Sequence, residues 1–156
     1  MEYASKEVLL KSGKTCLLRL AEGRDAEMLL EYLKVSSGET PYMVREPEEV
    51  RISVEEEVEF IRKNRENPWA LHLLAFADGV LAGSCSFAGN SERIRMRHRC
   101  TVGISLYRAF WGMGIGTVLL GEILDAAGTV GYEQAELEVV STNEAAVGLY
   151  KKFGFQ

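Results

Sequence analysis

Residues Trp111-Gly112-Met113-Gly114-Ile115-Gly116-Thr117 constrain this chain more than any other stretch. Three alternate glycines sit where a strand-like run gives way to an apolar-striped helix. The junction must turn tightly, and it leaves main-chain N–H groups uncovered by side chains at a helix N-terminus. Such amides, with the positive end of the helix dipole behind them, suit a phosphate or pyrophosphate. Glycine also lets a ligand approach the backbone closely. Two familiar glycine motifs fail on spacing. A dinucleotide fingerprint G-x-G-x-x-G needs glycine at 117 or 119, which hold Thr117 and Leu119. A P-loop ends in Gly-Lys-Ser/Thr, and no lysine lies between Arg108 and Lys151.

Apolar periodicity sets the elements around this junction. Thr15 to Leu20 reads as a strand, and Ala26, Leu29, Leu30 and Leu33 recur at helical spacing until Gly38 and Pro41. Ser53 with Glu56 forms a capping box for a second helix, whose buried stripe is expected at Val54, Val58 and Ile61; Asn67-Pro68 closes it. Trp69 to Ala77 and Val80 to Phe87 are strands joined by Asp78-Gly79, a hairpin signal. A turn at Gly89-Asn90-Ser91 precedes a long strand from about Ile94 to Leu106. The third helix runs from Gly114 to about Ala127, with Ile115, Val118, Leu119 and Leu124 inward. Gln134 to Val140 is a strand. Asn143 caps a last helix striped by Ala146, Leu149, Tyr150 and Phe153, with Gly154 at its C-terminal cap. This order predicts one α+β domain over residues 1–156, with a mixed, mostly antiparallel sheet flanked by helices. The chain stops at Phe155-Gln156, where an apolar run begins after a helix cap, so we expect the final strands of such a domain to be missing.

A net charge of -5 argues against non-specific nucleic-acid binding, which needs a surplus of Lys and Arg. The run Arg93-Ile94-Arg95-Met96-Arg97-His98-Arg99 departs from that balance, as a solvated hairpin or as a patch facing anionic phosphates. Cys16, Cys85 and Cys100 lie in separate apolar runs without metal-ligand spacing, so they read as buried small hydrophobes in a reducing compartment. Neither a metal nor a membrane is expected, and the cytoplasm is the default location.

The element order and two sequence blocks resemble the acyl-CoA site of the GNAT superfamily of N-acetyltransferases. That pattern places Gln/Arg-x-x-Gly-x-Gly/Ala at a helix start and Asn-x-x-Ala-x-x-Leu-Tyr-x-x-x-Gly-Phe further on. Asn143-Glu144-Ala145-Ala146-Val147-Gly148-Leu149-Tyr150-Lys151-Lys152-Phe153-Gly154-Phe155 matches the second block in full. Gly114 and Gly116 match the first, while Trp111 stands at the Gln/Arg position. The resemblance implies acetyl-CoA as co-substrate and a small-molecule or peptide amine as acceptor, with a homodimer one compatible assembly. It implies that the amides of Gly112, Met113, Gly114, Ile115, Gly116 and Thr117 hold the pyrophosphate. The strand edge at Ile104, Ser105 and Leu106 would bind the pantetheine arm like an added strand. The acetyl slot would open where that strand splays from Leu137 to Val140. Asn143 and Tyr150 would flank the thioester, with Tyr150 protonating the departing thiolate.

Amine acetylation also needs a proton acceptor, and His98 and Glu138 are the candidates; His72 reads as structural. Glu46, Glu48, Glu49, Glu55, Glu56, Glu57 and Glu59 form either a solvated helix face or an acidic mouth for a cationic amine. Cys100 is the one nucleophile available to a covalent route. A non-catalytic acyl-CoA-binding or regulatory module is the alternative to an enzyme.

Overall fold

The centre of the structure is the apolar hairpin of β3 (Leu71–Ala77) and β4 (Val80–Gly89). Asp78 and Gly79 close it with φ of 49° and 81°, the left-handed pair that a tight hairpin needs. The computed structural model describes residues 1–43, 46–89 and 94–156. The turn expected at Asn90-Ser91 and the first arginine of the basic run, Arg93, lie outside the described residues.

Around the hairpin, six strands lie side by side in chain order: β1 (Lys6–Leu9), β2 (Thr15–Leu20), β3, β4, β5 (Arg99–Leu106) and β6 (Gln134–Glu136). All neighbours are antiparallel except β5 and β6, which run parallel. One face carries α3 (Ile115–Thr129) and α4 (Glu144–Lys152); the other carries α1 (Ala26–Gly38) and α2 (Val54–Glu66). Strand alternation sends Leu73, Ala75, Cys85 and Phe87 towards α3, and Leu74 and Phe76 towards α1. Leu18, Leu73, Leu119, Leu120 and Ile123 are fully covered. Burying each such side chain contributes about 1.5–3 kcal/mol. The expected mostly antiparallel α+β architecture is thus the one formed.

Several boundaries differ from the sequence pattern. β1 was not expected, because its four residues, Lys6-Glu7-Val8-Leu9, carry two charges on an outer strand. β5 starts at Arg99 rather than Ile94, since Ile94–Met96 winds into a 3-10 turn. β6 ends at Glu136, and 137–140 is not strand. In α2 only Ile61 of the expected stripe is buried; Val54 and Val58 are 42% and 38% exposed. In α3, Val118 and Leu124 are only half-buried, while Leu120, Ile123 and Ala127 join Ile115 and Leu119 in the core. All three cysteines are buried free thiols, as expected of small apolar side chains.

Candidate active site

The glycines at the head of α3 do two different jobs. Gly112 and Gly114 have φ of 75° and 84°, a region closed to most side chains, and they turn the chain from β5 into the helix. Gly116 is helical and buried, and a Cβ there would lie 3.4 Å from Leu149 and 3.7 Å from Leu106. It lets α3 close onto β5 and α4. Gly114 is the N-cap and has no side chain to cap the helix, so the amides of Ile115, Gly116 and Thr117 have no intrahelical partner. Met113 packs its side chain towards the core and offers the loop only its main chain.

Beside this loop, β5 has an open edge. Its parallel pairing with β6 ends at Thr101 opposite Glu136, and beyond that point β6 stops while β5 continues to Leu106. Backbone direction follows from two hydrogen bonds. The His98 carbonyl accepts the amides of Glu133 and Gln134, whereas the Tyr107 amide donates back to Ala82 on β4. Because alternate residues of a strand point to opposite neighbours, Val102, Ile104 and Leu106 present their polar groups to the open edge. Ser105 does not. Its main chain faces β4 opposite Ser84, and its hydroxyl bonds the Tyr32 hydroxyl on the α1 side of the sheet. The expected edge of Ile104, Ser105 and Leu106 is therefore corrected to Val102, Ile104 and Leu106. Burial pushes the Tyr32 phenol up to about 12, against the opposing hydrogen bonds from Ser105 and Ser84.

Tyr150, on α4, packs against the core cluster on the α3 side of the sheet. It is half-buried, packs edge-on to Phe155 at 5.9 Å, and has no hydrogen-bond partner among the described residues. Burial, then the neighbouring Cys85 thiol on β4, raises its pKa above the ordinary tyrosine value, which keeps its proton in place. Asn143 is used locally: its side chain accepts the Ala146 amide at 3.3 Å and caps α4. Cys100 is fully covered, and burial with the Glu136 carboxylate pushes its thiol up to about 11. That environment disfavours the thiolate a covalent route requires.

The other expected residues separate. Glu138 is exposed, two residues past the last β5–β6 pair. His98 precedes β5 at its closed end, eight residues from Leu106, or about 26 Å along the strand. Arg95 and Arg97 share that end, and Arg99 is engaged by Glu136 and Met96, so the described arginines of the basic run lie away from the glycine loop. The acidic segment divides as well. Glu57 is buried at 5%, and Glu59 with Glu66 clasps Arg62. Glu46, Glu48, Glu49, Glu55 and Glu56 remain exposed.

One contact here escaped the sequence pattern. The Trp111 indole N–H donates to the Leu106 carbonyl at 3.1 Å, and the Arg108 guanidinium lies 5.4 Å over the ring. The irregular residue of the first block is thereby tied to the open edge of β5.

The acetyltransferase (GNAT) family model matches residues 31–155. A GNAT-family acetyltransferase from Streptococcus pneumoniae superposes with a TM-score of 0.85 at 32% identity, covering 90% of this chain and 84% of that one. A Bacillus subtilis protein provisionally named ribosomal protein bS18-alanine N-acetyltransferase is 32% identical over 97 residues, 62% of this chain and 61% of its own length. A GNAT superfamily phosphinothricin acetyltransferase from Sinorhizobium meliloti, solved in complex with acetyl-CoA, superposes with a TM-score of 0.77. It is 20% identical and covers 90% of this chain and 75% of that one, a likeness of fold. The chain spans less than two thirds of the length of the curated relatives it matches.

Proposed function

The chain belongs to the acetyltransferase (GNAT) family, and from that premise we propose that it transfers an acetyl group from acetyl-CoA to a primary amine by direct attack in a ternary complex. One juxtaposition carries this reading: the uncapped amides of α3 and the open edge of β5 meet end to end. That arrangement fits a ligand with a pyrophosphate at one end and an amide-bearing arm at the other. The amides of residues 112–117 would hold the pyrophosphate, and the edge groups of Val102, Ile104 and Leu106 would hold the arm. Acetyl-CoA supplies an acyl group activated as a thioester.

Each remaining residue has a proton to hold or move. A lysine-like amine has a pKa near 10.4, so deprotonating it at pH 7.4 costs about 4 kcal/mol. Glu138, two residues past the last β5–β6 pair, is the proton acceptor in this reading, directly or through water. His98 precedes β5, four residues or about 13 Å along the chain from Val102, the edge rung farthest from the glycine loop, so it is the less favoured acceptor. As the new C–N bond forms and the C–S bond breaks, the Tyr150 hydroxyl delivers a proton to the sulfur. That hydroxyl is protonated at neutral pH, as a general acid must be, although burial makes it a weaker one.

The acceptor class is a small-molecule or peptide amine. The name of the Bacillus relative supports a peptide α-amine, and the exposed Glu46, Glu48 and Glu49 support a cationic one. The three buried free thiols fit a cytoplasmic setting. Calorimetry with acetyl-CoA, followed by thiol release over alanyl peptides, amino acids and polyamines, tests the reading. Absence of acetyl-CoA binding sinks it; binding with no turnover on any amine favours a non-catalytic acyl-CoA module.

A further inference from the structure

Resting on the acetyl-CoA reading, we propose that the Trp111 indole, tethered to the Leu106 carbonyl, covers the first rung of the donor site and must swing aside for the donor's amide arm to reach it. Of the three outward rungs on the open edge of β5, Leu106 is nearest the glycine loop. An arm leading away from the loop amides meets that rung first. The indole N–H already bonds its carbonyl at 3.1 Å. A carbonyl oxygen has two acceptor positions, so competition arises from space: the ring itself lies against the edge the arm must follow.

The ring is held as well as bonded. The Arg108 guanidinium covers it at 5.4 Å, and Arg108 is itself anchored to the end of α1. Its amide donates to a Glu39 carboxylate oxygen at 3.1 Å, and its guanidinium donates to the Glu39 carbonyl. Trp111 is nevertheless 47% exposed, so leaving the edge sacrifices little buried area. A side chain fixed by one hydrogen bond and one cation–π contact is exchangeable in a way that a core tryptophan is not. Displacing the ring also disturbs Arg108 and the C-terminus of α1, so donor binding is felt at the helix that leads into the acidic segment.

The chain has two tryptophans, Trp69 and Trp111, so Trp69→Phe leaves a single reporter. Titrating that variant with CoA should shift Trp111 emission to the red and increase its quenching by acrylamide. Trp111→Phe keeps a ring beneath Arg108 but removes the N–H, and it should bind CoA about three- to ten-fold more tightly than wild type by calorimetry. Should Trp69→Phe fold poorly, the wild-type protein labelled with 5-fluorotryptophan reports the same movement as a shift of one of two fluorine resonances. A Trp111 that becomes shielded or stays unchanged on CoA binding overturns the proposal. So does a Trp111→Phe variant with equal or weaker CoA affinity. Failure of the wild type to bind CoA overturns the acetyl-CoA reading and this one together, whereas CoA binding with an unmoved indole overturns this one alone.

Discussion

Gly83→Ala should damage the end of β5 from a position that touches no ligand. Gly83 sits on β4 opposite Leu106, beside the register shift that pairs Ala75 with Gly83 and Phe76 with Leu81. A Cβ built there lies 2.5 Å from the Ser105 carbonyl oxygen and meets the Leu106 side chain. The obstacle is backbone and cannot rotate away, so β5 must move at Ser105 and Leu106, beside its open edge. Overpacking of this kind costs about 1–3 kcal/mol, and restricting the unfolded chain returns about 0.4–1 kcal/mol. The net loss should be about 1.3 kcal/mol, or a melting temperature lower by about 3–5 °C for a domain of this size. Gly103→Ala is the matched control on β5, since its Cβ would meet only Ser86 Oγ, at 3.7 Å. That variant should stay within about 0.5 kcal/mol of wild type. Scanning calorimetry and urea titration of both proteins, with CoA affinity measured alongside, make the comparison. Gly83→Ala melting within about 2 °C of wild type would refute the argument. So would unchanged CoA affinity in a variant that is clearly destabilised.

Other outcomes follow from the same contacts. Burial pushes His72 down to about 4 from 6.5, so the folded protein binds that proton less readily than the unfolded chain. Stability should therefore fall as pH drops from 6.5 towards 4, by up to about 3 kcal/mol, and His72→Gln should flatten that limb of the pH–stability curve. Asp25 is largely buried; despite that burial, its paired bonds with Arg19 at 2.7 and 2.8 Å hold its carboxyl below the usual range. Asp25→Asn should cost about 3–5 kcal/mol by chemical denaturation at pH 7, because Arg19 is left without its partner. Tyr150→Phe should lower kcat by about 100-fold with CoA affinity within a few-fold of wild type; an unchanged kcat removes Tyr150 as the acid. Glu138→Gln should lower kcat and His98→Ala should not, and steady-state rates in the reverse order would return the proton-acceptor role to His98.

The parts of this fold legible in the sequence are those governed by local rules. Asp78-Gly79 specified a left-handed hairpin pair, Ser53 a helix start, and Gly112 and Gly114 a turn no other residue makes easily. What stayed hidden depends on pairing across the chain. Alternation correctly put Ser105 on β5, but only the partner strand decides which neighbour its amide faces. Likewise Arg95, Arg97 and His98 adjoin the glycine loop's strand in sequence, while the extended chain carries them to its far end. Val139 and Val140 look like strand residues, yet β6 stops at Glu136 and leaves them 38% and 44% exposed. The indole of Trp111 could be seen as an irregularity, but its acceptor could not.

The short parallel pairing of β5 with β6 also bears on how the molecule assembles and breathes. The hairpins β1–β2 and β3–β4 close over tight turns, whereas β6 reaches β5 only after the whole of α3 has crossed the sheet. Three residue pairs then repay that long loop closure, against seven each for β3–β4 and β4–β5. Contacts so distant and so few form late and open early. Amide exchange should accordingly be fastest along this rim and slowest in the central hairpin. The gap into which a donor arm would thread is thus bordered by the least cooperative seam of the sheet, and a ligand bridging it would act as a missing rung, stiffening the whole margin.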